Sequence, residues 1–349
     1  MRQRAEGKDS RMSVAAERIL IVKPSSLGDI VHSLPFLNAI KACRPKAEIH
    51  WVVARGLEGL LEGHPMIDKL IIIDKDGWKK LGRLPETFRE VGGLFKELRR
   101  GRYDLVIDLQ GLFRSGAISM ATGAPVRVGF SEAREGGWLF YTQRVKGGRE
   151  IHAVDRYLKI AASLGCAAPE VIFPFPLMKN DEGRVSKNGA RGEEYVVLVP
   201  GARWDTKKWP AENFGRIASL LPLKSVVIGS NADREIGAEI VRASGGKAVS
   251  LAGETNLREL MQIMRRARLV ISNDSGPMHI AAGFHVPVVA IFGPTSPGLT
   301  GPYGQGNVVV KSDAECAPCF KKRCSDLKCM RQITVDAVYD KVLDRLNVA

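Results

Sequence analysis

Cysteine is scarce in this chain, with six in 349 residues. That density excludes a secreted fold held together by disulfides. Long hydrophobic runs are missing as well. The longest, such as Val286 to Phe292, fall far short of the roughly 20 apolar residues that span a bilayer. Residues 1–17 lack the apolar core of a signal peptide and are expected to be disordered, with Met12 an alternative start. A cytoplasmic location is the expectation from these features. No internal repeat and no low-complexity tract is present, which excludes solenoids and fibres. No G-x-G-x-x-G occurs, so the chain carries no dinucleotide fingerprint. Acidic residues are the minority charge: 38 Asp and Glu stand against 52 Lys and Arg, a net charge of +14. The excess favours anionic partners, namely phosphates, nucleic acid or an acidic membrane surface. No nucleic-acid recognition motif accompanies it.

What is present reads as a globular protein, 45% apolar and 26% charged. The length exceeds one ordinary core and predicts two domains. Short β-rich runs alternate with helical spacing. Arg18 to Lys23, Ala47 to Val53, Leu70 to Ile73 and Tyr103 to Leu109 are predicted strands of a first half, 18–177. The polar, aperiodic stretch 178–194 is predicted as a linker. A second half, 195–330, contains strands at Tyr195 to Val199, Ser225 to Ile228, Ala248 to Leu251, Leu269 to Ser272 and Val288 to Phe292. Alternation of this kind predicts an α/β protein of two doubly wound parallel sheets with a ligand between them. The tail 331–349 contains an amphipathic helix, with Val335, Val338, Val342 and Leu346 on one side.

One segment carries the most chemistry: Ser272-Asn273-Asp274-Ser275-Gly276-Pro277-Met278-His279. It follows an apolar strand and leads into a helix near Pro277. Such an entry offers backbone N–H groups and a positive dipole end to an anion. Asp274 suits ribose hydroxyls, and His279 faces the same mouth one turn on. A nucleoside diphosphate, carrying a sugar, is the expected ligand.

Four further turns fall at the carboxyl ends of predicted strands, where open α/β sheets bind ligands. Lys23-Pro24-Ser25-Ser26-Leu27-Gly28-Asp29 places Asp29 either as a helix cap or as a base facing the cleft. Arg203 to Pro210 brings Lys207 to the second half's first strand, as a diphosphate partner or as part of a solvated loop. Gly229 to Asp233 permits close backbone approach or is an ordinary turn. Asp108-Leu109-Gln110-Gly111 leads to Arg114, which suits an acidic acceptor or is a plain surface residue. The basic stretch Lys75 to Arg102 has nearly helical apolar spacing. It reads as a membrane-surface element or as a helix packed on its domain. Cys316, Cys319, Cys324 and Cys329 fall within one loop-like segment. They read as structural thiols or as a zinc site, although the spacing departs from paired C-x2-C knuckles.

Together these turns resemble the bacterial lipopolysaccharide heptosyltransferases of glycosyltransferase family 9, most nearly the type I enzymes. The resemblance runs from Ile19 to about Tyr303 and includes His152-Ala-Val-Asp155-Arg156, Lys207-Lys-Trp-Pro210 and Phe292-Gly-Pro-Thr295. It implies the GT-B fold, with the last helix crossing back to the first domain. It implies inverting transfer of heptose from ADP-heptose to Kdo of Kdo-lipid A, with no cofactor or metal required. A type II acceptor, the first heptose, and a non-transferring nucleotide-sugar binder are the alternatives. By position it makes Asp29 the base and Lys207 the donor-phosphate partner. Asp233, Asp274, Ser275, Gly276 and His279 become donor-binding. Ser25, Arg55, Arg114 and Arg127 are the basic and polar groups expected to hold the acceptor. Peripheral association with the cytoplasmic face of the inner membrane is the implied location.

Overall fold

The computed structural model describes residues 16–79, 84–167, 169–176 and 194–348. Most of the expected N-terminal extension, and the expected linker apart from Glu194, lie outside the described residues.

The first half contains six strands: β1 (Arg18–Val22), β2 (Glu48–Ala54), β3 (Lys69–Ile73), β4 (Leu105–Asp108), β5 (Val126–Phe130) and β6 (Gln143–Val145). Its helices are α1 (Leu27–His32), α2 (Leu34–Cys43), α3 (Leu84–Arg100), α4 (Phe113–Ala121) and α5 (Ala153–Ser163). The second half contains β7 (Tyr195–Val199), β8 (Lys224–Val227), β9 (Ala248–Ser250), β10 (Leu269–Asn273), β11 (Val288–Phe292) and β12 (Val308–Lys311). Its helices are α6 (Ala211–Leu220), α7 (Arg234–Ala243), α8 (Leu257–Arg266), α9 (Gly276–Gly283), α10 (Pro297–Thr300), α11 (Lys328–Arg331) and α12 (Val335–Val348).

The sheets run β3-β2-β1-β4-β5-β6 and β12-β11-β10-β7-β8-β9. Every strand pair is parallel. Central strands such as β1 and β10 are buried along almost their whole length, as continuous apolar runs require when helices cover both faces. In each sheet the order reverses beside the first strand of its half. That switch point places the turns after β1 and β4, and after β7 and β10, at one cleft.

One apolar core runs through both halves. It takes Ile19, Ile21 and Phe36 from the first, and Val197, Met278 and Ile280 from the second. Helices α1 and α9 pack directly on one another across the junction. Glycine makes that approach possible. A Cβ on Gly28 would collide with the His279 ring, and one on Gly276 would sit 2.7 Å from Leu27 Cδ2. Further bonds cross nearby: His152 Nε2 to Gly301 O (3.0 Å), Tyr303 OH to Asp155 Oδ1 (2.7 Å) and Arg258 Nη2 to Glu62 O (2.8 Å).

Two expectations need correction, and one of the two readings of the cysteine loop falls behind the other. The apolar spacing Ile30, Leu34, Leu37 and Ile40 predicts one helix over 29–43, whereas the chain forms two, broken at Ser33, whose hydroxyl donates to Ile30 O at 2.7 Å while α2 takes Pro35 into its first turn. The last helix, α12, does not cross back. Val335, Val338 and Val342 fill the second core against Trp209 and Phe214, and Trp209 Nε1 donates to Ile333 O at 2.9 Å. A zinc site at the cysteine loop finds no support. Among the described residues no group of three or more His, Cys, Asp or Glu is placed to hold a metal ion. Cys316 and Cys324 are exposed, whereas Cys329 is buried in the second core, where burial pushes its thiol up. The remaining two cysteines, Cys43 and Cys166, form a disulfide that joins the end of α2 to the segment after α5.

Candidate active site

The turn after β1 delivers Asp29 as the third residue of α1. Ser26 closes a capping box: its N–H and its hydroxyl both donate to Asp29 Oδ2, at 2.9 and 2.8 Å. The other oxygen, Oδ1, lies 3.9 Å from Lys23 Nζ, and the carboxylate side chain keeps 38% exposure toward the cleft. Cap and candidate base are therefore one residue, with one oxygen for each task. Burial by itself would raise the Asp29 carboxyl. The Lys23 ammonium and the two Ser26 donors outweigh it and hold the group below the ordinary carboxylate range. Lys23 is buried, which opposes its charge. Asp29 and the Tyr157 ring, 5.2 Å away, keep it protonated, with its value raised.

The facing wall is built by the turn after β10. Asn273 locks three loops together: its amide donates to Pro200 O at 2.7 Å, and its Oδ1 accepts from Trp209 N at 3.2 Å. Ser275 caps α9 without spending its side chain on the helix. Asp274, expected to meet ribose, is instead turned inward. Its Oδ2 accepts from Thr295 Oγ1 at 2.6 Å and pairs with Lys207 Nζ at 2.7 Å. The Lys207 ammonium also lies 4.6 Å over the Trp204 ring, so two contacts aim it at the α9 entry. Asp233 repeats the device of Asp29. Ser230 N–H and hydroxyl donate to its Oδ2 at 2.8 and 2.7 Å.

Two adjoining cavities result. The smaller, about 390 Å³, brings Asp29, His32, Lys207, Ser275, Gly276 and His279 together from both halves. The larger, about 750 Å³, has Ile228, Leu257 and Leu260 as an apolar shelf with Asp233 and Arg203 at its polar side. Leu27, Arg203, Ser275 and Gly276 line both, so they form one cleft.

The four residues expected to hold an acceptor divide. Ser25 and Arg114 line a small cavity beside the cleft with Lys75, Trp78 and Gln110. Arg55 is exposed just past β2, at the same carboxyl edge. Arg127 is not brought to the cleft. It sits near the start of β5, and its guanidinium donates to Phe140 O (2.8 Å) and Ala124 O (2.6 Å). Asp108 is structural: it accepts from Gln110 N, Gly111 N and Tyr141 OH, and burial pushes its carboxyl up.

Sequence reasoning missed Lys23 as the partner of Asp29, and it missed His32 and Thr295. Lys23 lay in the quoted motif, but burial of a lysine leaves no sequence signal. His32 Nε2 meets His279 Nδ1 at 3.0 Å across the two halves. Burial depresses both rings, His279 to about 4 and His32 well below its ordinary value, with His152 and Lys23 adding to the effect on His32. Asp274 and Asp29 act in the opposite sense on His279 but do not prevail. Both rings are thus neutral when folded, and the unfolded chain binds more protons in acid. The contribution of His279 is complete above the unfolded value of about 6.5 and is lost as pH falls toward about 4, and His32 acts in the same sense. Denaturant midpoints should therefore drop between about pH 7 and about pH 5, and His279→Asn should flatten the slope. Equal slopes in wild type and variant would show that the ring titrates normally.

Two doubly wound parallel sheets that face one cleft, with an anion-ready helix entry on one and a clamped carboxylate on the other, make the GT-B architecture. Residues 91–330 match the family model "Glycosyltransferase family 9 (heptosyltransferase)". The chain is 32% identical over 318 residues to lipopolysaccharide heptosyltransferase 1 of Pseudomonas aeruginosa, covering 88% of this chain and 87% of that protein. Its structure is similar to a family 9 glycosyltransferase of Veillonella parvula, with TM-score 0.82, 26% identity, and coverage of 97% and 99%. It is also similar to the Escherichia coli heptosyltransferase WaaC with ADP, with TM-score 0.76, 26% identity, and coverage of 94% and 99%. The chain belongs to glycosyltransferase family 9, the heptosyltransferases.

Proposed function

We propose that the enzyme transfers L-glycero-D-manno-heptose from ADP-heptose to Kdo of Kdo-lipid A, with inversion, in lipopolysaccharide inner-core synthesis. The observation that carries this reading is the convergence of Asp29 and Lys207, from opposite sheets, on one cavity. In the reaction, ADP-heptose lies along the second half, with its diphosphate at the α9 entry. The acceptor hydroxyl enters from the first half. Asp29 Oδ1 takes its proton as the oxygen bonds to the anomeric carbon. The bond to the diphosphate breaks on the opposite face, and ADP leaves with the electron pair. Lys207 and the amides at Ser275 and Gly276 meet the charge that grows there. Neither wall needs a metal ion for this displacement. We assign the acceptor to 18–177 and the donor to 195–330. Among the described residues no helix is long and apolar enough to cross a membrane, and we place the enzyme at the cytoplasmic face of the inner membrane as a peripheral protein.

The relative sharing 32% identity is a type 1 enzyme, which supports Kdo over a first heptose as acceptor. Incubation with ADP-heptose and either a Kdo-terminated or a heptose-terminated acceptor, followed by mass analysis, tests both points. Heptose should be added to the Kdo-terminated acceptor and ADP released. Product from the heptose-terminated acceptor alone would make the enzyme type II, and release of ADP with neither would overturn the transfer reading.

A further inference from the structure

We infer that the outer face of the first sheet, formed by α3, α4 and the turn Gly137–Phe140, is the surface that seats this enzyme on an anionic lipid bilayer. Of the eleven large apolar side chains exposed among the described residues, six lie on these three neighbouring elements. They are Phe88 (76% exposed), Phe95 (39%), Phe113 (51%), Met120 (51%), Trp138 (38%) and Leu139 (62%). Isolated exposed apolar residues need no explanation, but a cluster of this kind marks a contact surface.

The arrangement follows from helix geometry. Phe88 and Phe95 stand two turns apart on α3, while Leu94 and Leu98 of the same helix are buried against the sheet. Phe113 and Met120 stand two turns apart on α4, with Ile118 buried. Helix α4 packs against both α3 and the Gly137–Phe140 turn, so the three exposed rows are neighbours. Phe113 meets Phe140 edge-on at 5.1 Å. The core behind them is complete without these side chains.

Charge selects the occupant. Arg89, Arg99, Arg100, Arg114, Arg134 and Arg144 are exposed on or beside the same elements. The Arg144 guanidinium lies 4.6 Å over the Trp138 ring. Of the nearby acids, Glu97 pairs with Lys69 at 2.6 Å, Glu90 accepts from Trp78 Nε1 at 3.2 Å, and Glu132 accepts from the N–H groups of Gly147 and Gly148, while Glu86 on α3 and the exposed Glu135 beside the turn stand against the six arginines. Arginines among aromatic and aliphatic tips match a headgroup layer that is anionic outside and apolar beneath. A second copy of the chain fits poorly, since a two-fold contact would press this basic face on itself.

Position adds a purpose. Helix α4 starts at the carboxyl edge of β4, where Leu112, Arg114 and Ser115 line the small cavity beside the cleft. A lipid-anchored sugar rising from the bilayer would meet the cleft at that end. This last step rests on the proposed acceptor, whereas the surface itself does not.

The test is sedimentation of the full chain with vesicles, which requires no substrate. Wild type should bind phosphatidylglycerol-containing vesicles and not pure phosphatidylcholine. Phe88→Ser, Met120→Ser and Leu139→Ser together should weaken binding at least about tenfold. Arg89→Glu with Arg144→Glu should weaken it roughly 30-fold, and added salt should do the same. Transfer to a water-soluble acceptor should be unchanged in both variants, which separates this surface from the catalytic reading. Unaltered vesicle binding in the variants, or no binding by wild type, overturns the inference. So does a wild-type dimer in light scattering that both variants dissolve.

Discussion

Asp29→Asn should lower turnover by roughly 10²- to 10⁴-fold, the usual worth of a positioned general base. The substitution keeps an oxygen for the Ser26 donors, so α1 should stay capped and ADP affinity should not change. Only the proton acceptor facing Lys23 is lost. Because Asp29 is held below the ordinary carboxylate range, the acid limb that it sets in the wild-type kcat/KM should lie below that range. Lys23→Met removes the buried ammonium, so Asp29 should titrate higher and the acid limb should move to higher pH. Stopped turnover assays across pH, with ADP calorimetry as the control, check both variants. Near wild-type turnover in Asp29→Asn would remove this carboxylate from the chemistry and leave it a cap.

Lys207→Ala should lower kcat by about 10²- to 10³-fold, the scale of removing one charge-stabilising donor from an acyl or phosphoryl site. Donor affinity should fall as well, because the ammonium faces the α9 entry in ground state and transition state alike. The pair with Asp274 provides a discriminating companion. Asp274→Asn frees Lys207 from a 2.7 Å partner and leaves Thr295 bonded. If Asp274 positions Lys207, both variants should slow turnover in the same sense, and the double variant should be no worse than Lys207→Ala alone. If Asp274 holds ribose, its loss should raise the donor KM independently and the effects should add. Steady-state kinetics of the four-member cycle decides between them.

Central strands were legible because apolar runs flanked by Gly and Pro leave little alternative: Tyr195–Val199 and Val288–Phe292 fall where expected. Strands β5, β6 and β12 were not. Val126–Phe130 carries Arg127 and a glycine, Gln143–Val145 is too short for a pattern, and Val308–Lys311 is a half-exposed edge. The cleft turns were legible for a related reason, since each follows a readable strand. Within them, the partners of the charges were hidden. Nothing local says that Asp274 faces Lys207, or that Lys23 is buried beneath Asp29, because those pairs depend on how loops fold onto each other. Arg127 was misplaced for want of register: a lone cation near a strand does not say which end it occupies. His32 and His279 are 247 positions apart and meet only through the packing of α1 on α9. The terminal helix showed its apolar stripe plainly, but an amphipathic pattern does not name the surface it covers.

The contact of Gly28 and Gly276 with the opposite helix has a mechanical meaning. Two halves that touch along α1 and α9, with a ring and a leucine filling the missing side-chain space, have a natural fulcrum there. Prising them apart on that line would uncover buried apolar surface. Groups beside a fulcrum travel least for a given rotation, and Asp29 and Ser275 flank these two glycines. The outer rim of the cleft has the longest lever arm and sweeps furthest. A rotation about that line would open the rim while leaving the separation of Asp29 and Ser275 nearly constant.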